Sequence, residues 1–200
     1  MSRRAPAVAR FLESVSAALE SNLAPGDAPR PVVERMLTAL ASPGESSDAV
    51  AAGNLSVLEH LPPALRSAAS SRQPVGDVGT ALTVLAPELD WRRRPGANAV
   101  GMDFAEGHAN AVVVGAEGVE RRRDVTVGLS LMAPGVRYPD HNHPPEEVYL
   151  VLSPGEWWQE GGGWHEPGVG AIVHNPPGIM HAMRAGDAPL LAVWLLWMEG

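Results

Sequence analysis

The sequence predicts a mainly β protein, a single small β-barrel preceded by an N-terminal helical segment. In about the first seventy residues, apolar side chains recur at helical spacing. From about Gln73 onward, glycine and proline recur between short apolar runs, a texture typical of antiparallel strands. The length of 200 residues allows one domain with an appendage. We therefore expect the helical segment over residues 1–74 and the barrel over residues 75–200.

Several helix-forming patterns follow one another at the N-terminus. The first predicted helix has a single apolar face, formed by Val8, Phe11, Leu12, Val15 and Leu19. Proline and glycine end it, and Pro31 suits the first turn of a second helix. Ser47 or Asp48 can cap a third, and a further short helix is expected to begin at Pro62 or Pro63. Helices this short rarely form a stable domain alone, so we expect them to pack on the barrel or on a partner subunit.

The predicted strands are apolar runs separated by turn signals. In chain order they are "ALTVLA", "NAVVVG", "DVTVGLSLM", "EVYLVL", "VGAIV" and "APLLAVWLLWM". Their spacing suggests an antiparallel sandwich or barrel.

Composition excludes several classes of function. The net charge of −8 argues against nucleic acid or an anionic membrane as the main partner. No apolar run is long enough to span a bilayer and no secretion signal is indicated, so we expect a cytoplasmic protein. Because the chain lacks cysteine and lysine, a metal must use nitrogen and oxygen ligands, and Schiff-base catalysis is excluded. The arginine triplets at 92–94 and 121–123 are interpreted as solvated turns or strand edges, with anion steering as the alternative.

The stretch "YPDHNHPPEEVYLVL" concentrates titratable side chains ahead of an apolar strand. His141 and His143 are two residues apart and would share one face of an extended strand. Glu147 and Tyr149 would share a face of the next strand, and Glu146 takes the place of Glu147 if a bulge shifts the register. A cation explains two imidazoles and a carboxylate in one space, because a buried unpaired carboxylate is costly.

Two motifs carry a resemblance to a known superfamily. Residues 135–147, "GVRYPDHNHPPEE", resemble the first cupin motif, and residues 170–181, "GAIVHNPPGIMH", resemble the second. The resemblance implies a double-stranded cupin barrel with a metal held by His141, His143, Glu147 and His181. Two positions depart from the motifs. The first motif's closing glycine comes one residue late, at Gly155, and Ala185 replaces the usual asparagine.

Within the cupins, the chain resembles the dimethylsulfoniopropionate lyases of marine bacteria. The features are Tyr149 two residues after the glutamate ligand, Tyr138 within the first motif, and the helical segment before a single barrel. The resemblance implies cleavage of this small-molecule substrate to dimethyl sulfide and acrylate, with Tyr149 as the base and Tyr138 as the second candidate. It also implies one divalent transition metal ion per chain, for which His and Glu ligands suit Fe, Zn, Mn, Co or Ni.

The chemistry of this substrate fits the residues. A metal bound to the carboxylate makes the adjacent proton easier to remove, and a nearby cation can lower the pKa of a tyrosine from its ordinary value of about 10. Aromatic faces would hold the sulfonium, and Trp194 and Trp197 are candidates. Because they are three residues apart on one strand, at most one faces the interior. His174 is interpreted as an ordinary hydrogen-bonded histidine, with a hydrogen-bond donor behind the metal ligands as the alternative. His108 is expected to begin a strand without reaching the pocket.

Two alternatives to a lyase remain at the level of sequence. An iron cupin dioxygenase would use the same ligands together with oxygen. A non-catalytic cupin would bind a ligand without converting it. A homodimer is also possible, because exposed apolar helix or strand faces could pair subunits.

Overall fold

The computed structural model describes residues 4–47 and 55–198. Its helices are α1 (Pro6–Asn22), α2 (Arg30–Leu40), α3 (Leu61–Ala69), α4 (Val75–Leu85), α5 (Ala97–Val100) and α6 (Met102–Glu106). Its strands are β1 (Glu45–Ser46), β2 (Trp91–Arg92), β3 (His108–Val114), β4 (Glu120–Arg121), β5 (Val125–Met132), β6 (Arg137–His141), β7 (Glu146–Val151), β8 (Glu156–Gln159), β9 (Ile172–Asn175), β10 (His181–Arg184) and β11 (Leu190–Trp197).

The N-terminal helices form where the apolar spacing predicts them. All five predicted apolar positions of α1 are buried, and α1, α2 and α3 each carry a proline in the first turn, where its missing N–H is harmless. The helix that Ser47 or Asp48 would cap falls largely on residues 48–54, outside the described residues. Among the described helices, none combines the length and apolar character needed to cross a membrane.

The predicted strand "ALTVLA" is wrong, because these residues lie at the end of α4 and just beyond it. Val75, Val78 and Leu82 are buried at helical spacing, although the short apolar run resembles a strand. Gly79 lets α4 approach α3 closely, since a Cβ atom there would lie 2.3 Å from the backbone nitrogen of Ala69. The helical part therefore continues past the predicted end at residue 74.

Two sheets face one another across the barrel. The large sheet has the strand order β1-β4-β3-β5-β11-β7-β9, with β2 paired to β3, and the small sheet has the order β6-β10-β8. The five remaining predicted strands are β3, β5, β7, β9 and β11, and all five lie in the large sheet. The predicted fold class, a cupin barrel preceded by a helical segment, is confirmed.

The large sheet has a different apolar core on each face. Helices α1 to α4 pack on the outer face, which includes Val148 and Leu150 of β7. The inner face packs against the small sheet, and Tyr149 and Val151 of the same strand belong to that core. Because side chains alternate along a strand, one strand serves both cores. The helices cover the outside of the barrel, and its interior is left for the site.

Candidate active site

The three predicted histidine ligands converge inside the barrel. His141 ends β6, His143 follows two residues later, and His181 begins β10 as the cross-strand partner of His141. One ring nitrogen from each histidine lies within 4.8 Å of the others. The ring centroids of His141 and His181 are 4.1 Å apart, and those of His143 and His181 are 5.1 Å apart. The spacing of the two sequence motifs therefore brings three imidazoles to one point.

Backbone carbonyls fix the orientation of all three rings. Each Nδ1 atom lies within hydrogen-bonding distance of a carbonyl two residues away. The pairs are His141 with Pro139 at 2.9 Å, His143 with Pro145 at 2.9 Å and His181 with Ile179 at 3.0 Å. Because a carbonyl only accepts, each Nδ1 carries the proton, and a neutral ring then offers Nε2 as a lone pair.

Glu147 adds a carboxylate to the same point. Its Oε2 atom lies 3.3 Å from Nε2 of His143 and 3.2 Å from Nε2 of His181. Asn175 donates a hydrogen bond of 2.8 Å to this oxygen, and Gln159 donates one of 2.6 Å to the Asn175 side chain. The amide pair thus holds the Glu147 carboxylate toward the histidines.

The donor set fits a metal ion. With protons on the three Nδ1 atoms, the facing nitrogens and Oε2 are all acceptors, and Nε2 of His181 is buried without a hydrogen-bond partner among the described residues. A cation would satisfy these acceptors.

Protonation of a histidine is the other way to offset the contact between these acceptors. Burial lowers the pKa of His143, but the Glu147 carboxylate outweighs it and holds that pKa above its ordinary value. Burial opposes ionisation of Glu147, yet the imidazoles of His143 and His181 beside its carboxylate hold its pKa at about 2.

Glu146 is not part of this cluster. Its carboxylate accepts a 2.8 Å hydrogen bond from Nε2 of His174 and pairs with Arg35 of α2 at 3.1 Å. The register of β7 therefore directs Glu147, not Glu146, toward the histidines. The interpretation of His174 as an ordinary hydrogen-bonded histidine is confirmed.

The histidine cluster opens onto a cavity of about 210 Å³. Its volume is that of about seven water molecules in the liquid, which suits a small organic ligand. The lining residues are Arg94, Asn110, Ser130, Tyr138, His141, Asn142, His143, Glu147, Tyr149, Trp194 and Leu196.

Tyr149 lines this cavity from β7, with its ring 6.4 Å from that of Trp157. It is buried, and burial followed by the negative charge of Glu147 raises its pKa well above 10. Without a cation beside it, Tyr149 is therefore a neutral phenol across the physiological pH range.

Tyr138 lines the cavity from β6 and is held in an aromatic cluster. Its ring centroid lies 4.7 Å from that of His141, 4.9 Å from that of His108 and 5.0 Å from that of Phe104. The guanidinium carbon of Arg94 lies 5.3 Å from the same centroid. Burial raises the pKa of Tyr138, while the charge of Arg94 and a hydrogen bond with Asn110 act in the opposite direction.

His108 begins β3 and is not among the residues that line the cavity, as the sequence predicts. Its Nε2 lies 3.1 Å from Oδ1 of Asn110, which also accepts a 2.7 Å hydrogen bond from Ser130. His108 is fully buried and stacks on Phe104 at 4.6 Å, and this burial lowers its pKa to about 4. It lies behind the wall of the cavity.

The two candidate tryptophans of β11 face opposite ways, as their spacing predicts. Trp194 lines the cavity, and its ring covers Gly128 of β5. Trp197 packs with the outer core, and the guanidinium of Arg35 lies 5.3 Å from its ring centroid. Trp194 is therefore the one of the pair that can contact a ligand in the cavity.

The comparison with known families identifies the chain. A family model described as dimethylsulfoniopropionate lyase matches residues 28–192. The chain belongs to this family. Among its relatives is the dimethylsulfoniopropionate lyase DddQ of Ruegeria pomeroyi, 32% identical over 108 residues, which are 54% of this chain and 53% of that protein. Another is the putative dimethylsulfoniopropionate lyase DddL of Cereibacter sphaeroides, 29% identical over 116 residues, 58% of this chain and 48% of that protein. The chain thus spans about half the length of the curated relatives it matches.

Two solved structures of dimethylsulfoniopropionate lyases share the fold over nearly the whole chain. A structure described with the lyases RdDddP and RnDddQII superposes with a TM-score of 0.72 at 22% identity, covering 96% of this chain and 92% of the other. The structure of DddQ from Ruegeria pomeroyi superposes with a TM-score of 0.68 at 22% identity, covering 97% and 92%. The helical layer and the barrel therefore occur together in both.

Several cavity residues of this family member escaped the sequence reasoning. Asn110 and Ser130 are polar residues in otherwise apolar strands and face the site, a signal that inward alternation could have provided. Arg94 belongs to a triplet interpreted as a solvated turn or strand edge, with anion steering as the alternative, and it lines the cavity. The direction in which the Arg94 side chain points depends on the tertiary structure, and no sequence pattern predicts it.

Proposed function

We propose that this protein cleaves dimethylsulfoniopropionate to dimethyl sulfide and acrylate by β-elimination, with Tyr149 as the general base. One observation carries the proposal. Three imidazole nitrogens and the Glu147 carboxylate converge beside Tyr149 in a cavity of about 210 Å³, in a chain of the dimethylsulfoniopropionate lyase family.

His141, His143, Glu147 and His181 would hold one divalent transition metal ion. Imidazole nitrogen and carboxylate oxygen suit Fe, Zn, Mn, Co and Ni, so the ligands alone do not select among them. When bound, the ion would withdraw electron density from the substrate carboxylate, which makes the neighbouring proton more acidic.

Tyr149 would remove a proton from the carbon next to the carboxylate. The electron pair of that C–H bond forms the C=C bond of acrylate, the C–S bond breaks, and its pair leaves on a neutral dimethyl sulfide. The proton remains on the phenol oxygen of Tyr149 until water takes it. Tyr138, held by Phe104 and His108, would position the substrate or assist.

Tyr149 must be a phenolate to act in this way. Burial and the Glu147 charge oppose ionisation, so its pKa has to fall when positive charge enters the site. Titrating metal into the protein should therefore raise the ultraviolet phenolate absorbance. This increase should be lost in Tyr149→Phe.

Trp194 would bind the sulfonium end of the substrate. A soft cation over an indole face gains about 0.5–2 kcal/mol. The Trp194 ring lines the cavity together with Tyr149, its cross-strand partner in β7. Holding the sulfonium there would keep the leaving group away from bulk water.

Headspace assay of dimethyl sulfide tests the proposal. Metal-loaded wild type should release the sulfide without consuming oxygen, which separates elimination from an oxygenase. His143→Ala should lose both metal and activity, whereas His165→Ala, at an exposed hairpin histidine, should keep both.

The same assay tests the identity of the base separately from the identity of the substrate. Tyr149→Phe should retain the metal and lose about 10²–10⁴ in rate, the usual contribution of a positioned base. Full activity in that variant would transfer the role of base away from Tyr149, and the same measurement on Tyr138→Phe tests the second candidate. Absence of sulfide from the wild type would refute the substrate.

A further inference from the structure

The three consecutive arginines at 92–94, at the end of β2 and just beyond it, have different surroundings. Arg92 pairs with Asp90 and with Glu117, the latter at 3.2 Å. Arg93 pairs with Glu106 at 2.6 Å. The guanidinium of Arg94 forms no hydrogen bond or ion pair with any residue in the described ranges. Two of the triplet are thus neutralised at the surface, and the third is not.

Arg94 turns into the cavity that His141 and His143 line. It lines the same space as His141 and Glu147, and its guanidinium lies 5.3 Å from the ring centroid of Tyr138. Cations withdrawn from solvent are usually paired with an anion. Glu147 is the acidic residue among those lining the cavity, and it already faces His143, His181 and Asn175.

We propose that the Arg94 guanidinium binds the carboxylate of the substrate. This inference rests on the proposed function, since it assigns one residue to one end of dimethylsulfoniopropionate. A guanidinium presents a planar fork of donors that matches the two oxygens of a carboxylate. The contact would be the protein's own anchor for the acid, additional to any contact with the metal.

The same charge would orient the substrate. Dimethylsulfoniopropionate has a carboxylate at one end and a sulfonium at the other, so Arg94 attracts one end and repels the other. Arg94 enters the cavity from the side of β2 and β3, whereas Trp194 stands on β11, with β5 between β3 and β11. The carboxylate near Arg94 would leave the sulfonium free to face the indole of Trp194.

The competing explanation is a structural one, in which Arg94 merely stacks on Tyr138 and stabilises the wall of the cavity. A structural role would affect charged and neutral ligands alike. A carboxylate-binding role discriminates between them. The test therefore compares acrylate with acrylamide, a neutral molecule of nearly the same shape.

The experiment uses metal-loaded wild type, Arg94→Gln, Arg94→Lys and the matched control Arg93→Gln. Calorimetric titration should show that Arg94→Gln weakens acrylate binding about 10- to 100-fold and leaves acrylamide binding unchanged, the loss expected for a charge-assisted hydrogen bond. The KM for dimethylsulfoniopropionate should rise by a similar factor. Arg94→Lys keeps the charge but not the fork and should show an intermediate loss, and Arg93→Gln should match the wild type.

Each outcome has a separate meaning. If wild type cleaves dimethylsulfoniopropionate but Arg94→Gln binds acrylate with wild-type affinity, the assignment of Arg94 is wrong and the proposed function stands. Equal weakening of acrylate and acrylamide also overturns it, because that is the structural result. If wild type releases no sulfide yet acrylate binding depends on Arg94, the substrate proposal fails and the carboxylate site remains. Should Arg94→Gln not fold, the acrylate-to-acrylamide ratio of Arg94→Lys decides.

Discussion

Replacing Gly128 by alanine should damage the cavity while leaving every polar residue of the site in place. Gly128 lies opposite Trp194 in the pairing of β5 with β11, and the indole covers the glycine. A Cβ atom at Gly128 would lie 2.1 Å from Cζ2 of Trp194 and 2.5 Å from Cη2. Ordinary contacts begin near 3.4 Å, so the ring must move by more than 1 Å.

The indole has few directions in which to move. The sheet lies behind it, so the ring would shift into a cavity of about 210 Å³ and toward Tyr149. Overpacking of this kind costs about 1–3 kcal/mol of unfolding free energy. We expect Gly128→Ala to lose about that much in urea denaturation and to show a raised KM for dimethylsulfoniopropionate, because the displaced ring occupies the substrate's space.

Two comparisons make the test decisive. Gly163→Ala is the matched control, since an added Cβ atom there meets nothing within 4 Å, and it should be close to neutral. The double variant Gly128→Ala/Trp194→Leu should recover stability, because the smaller side chain makes room, but not the KM. If Gly128→Ala is as stable as the wild type and keeps its KM, the assignment of Trp194 to a filled position above Gly128 is refuted.

Three further predictions concern the supports of the site and the fold. Asn175→Ala should weaken metal binding about 10- to 100-fold in competition with a chelator, because Glu147 loses the donor that orients it. His108 has a pKa of about 4 in the folded protein and about 6.5 when unfolded, so protons favour unfolding as the pH falls through this range. Urea denaturation should show about 2 kcal/mol more destabilisation between pH 7 and pH 5 in the wild type than in His108→Gln. Arg4→Gln should cost about 3 kcal/mol in the same assay, because Glu120 is buried and Arg4 donates to both of its carboxylate oxygens, at 2.6 and 2.9 Å. A loss below 1 kcal/mol would contradict this reading of the ion pair.

The convergence of the candidate metal ligands was the most predictable part of the molecule. His141, His143 and Glu147 lie close in sequence, and strand alternation sets the side on which each is found. His181 is forty residues later, and its motif rather than its local pattern identified it. The inward position of Tyr149 follows from the same strand alternation that places Glu147.

The less predictable parts depend on contacts between distant segments. "ALTVLA" fits a short strand and a buried helix equally well, and the packing of α4 on α3 at Gly79 decides between them. Arg94 belongs to a triplet whose members look alike in sequence. The neighbouring Asp90 and the more distant Glu117 neutralise Arg92, Glu106 neutralises Arg93, and Arg94 is left for the cavity.

The double use of β7 has a consequence for how the sequence can change. Val148 and Leu150 face the helical layer, and Glu147 and Tyr149 face the cavity. Inserting or deleting one residue ahead of this strand would exchange the two sets, placing a carboxylate among aliphatic side chains and valine where a ligand is needed. Single substitutions in β7 leave its two faces in place, whereas an insertion or deletion of one residue does not. We expect length variation among family members to be concentrated in the hairpin at 160–163, where a Cβ atom added at Gly161 or Gly163 meets nothing within 4 Å.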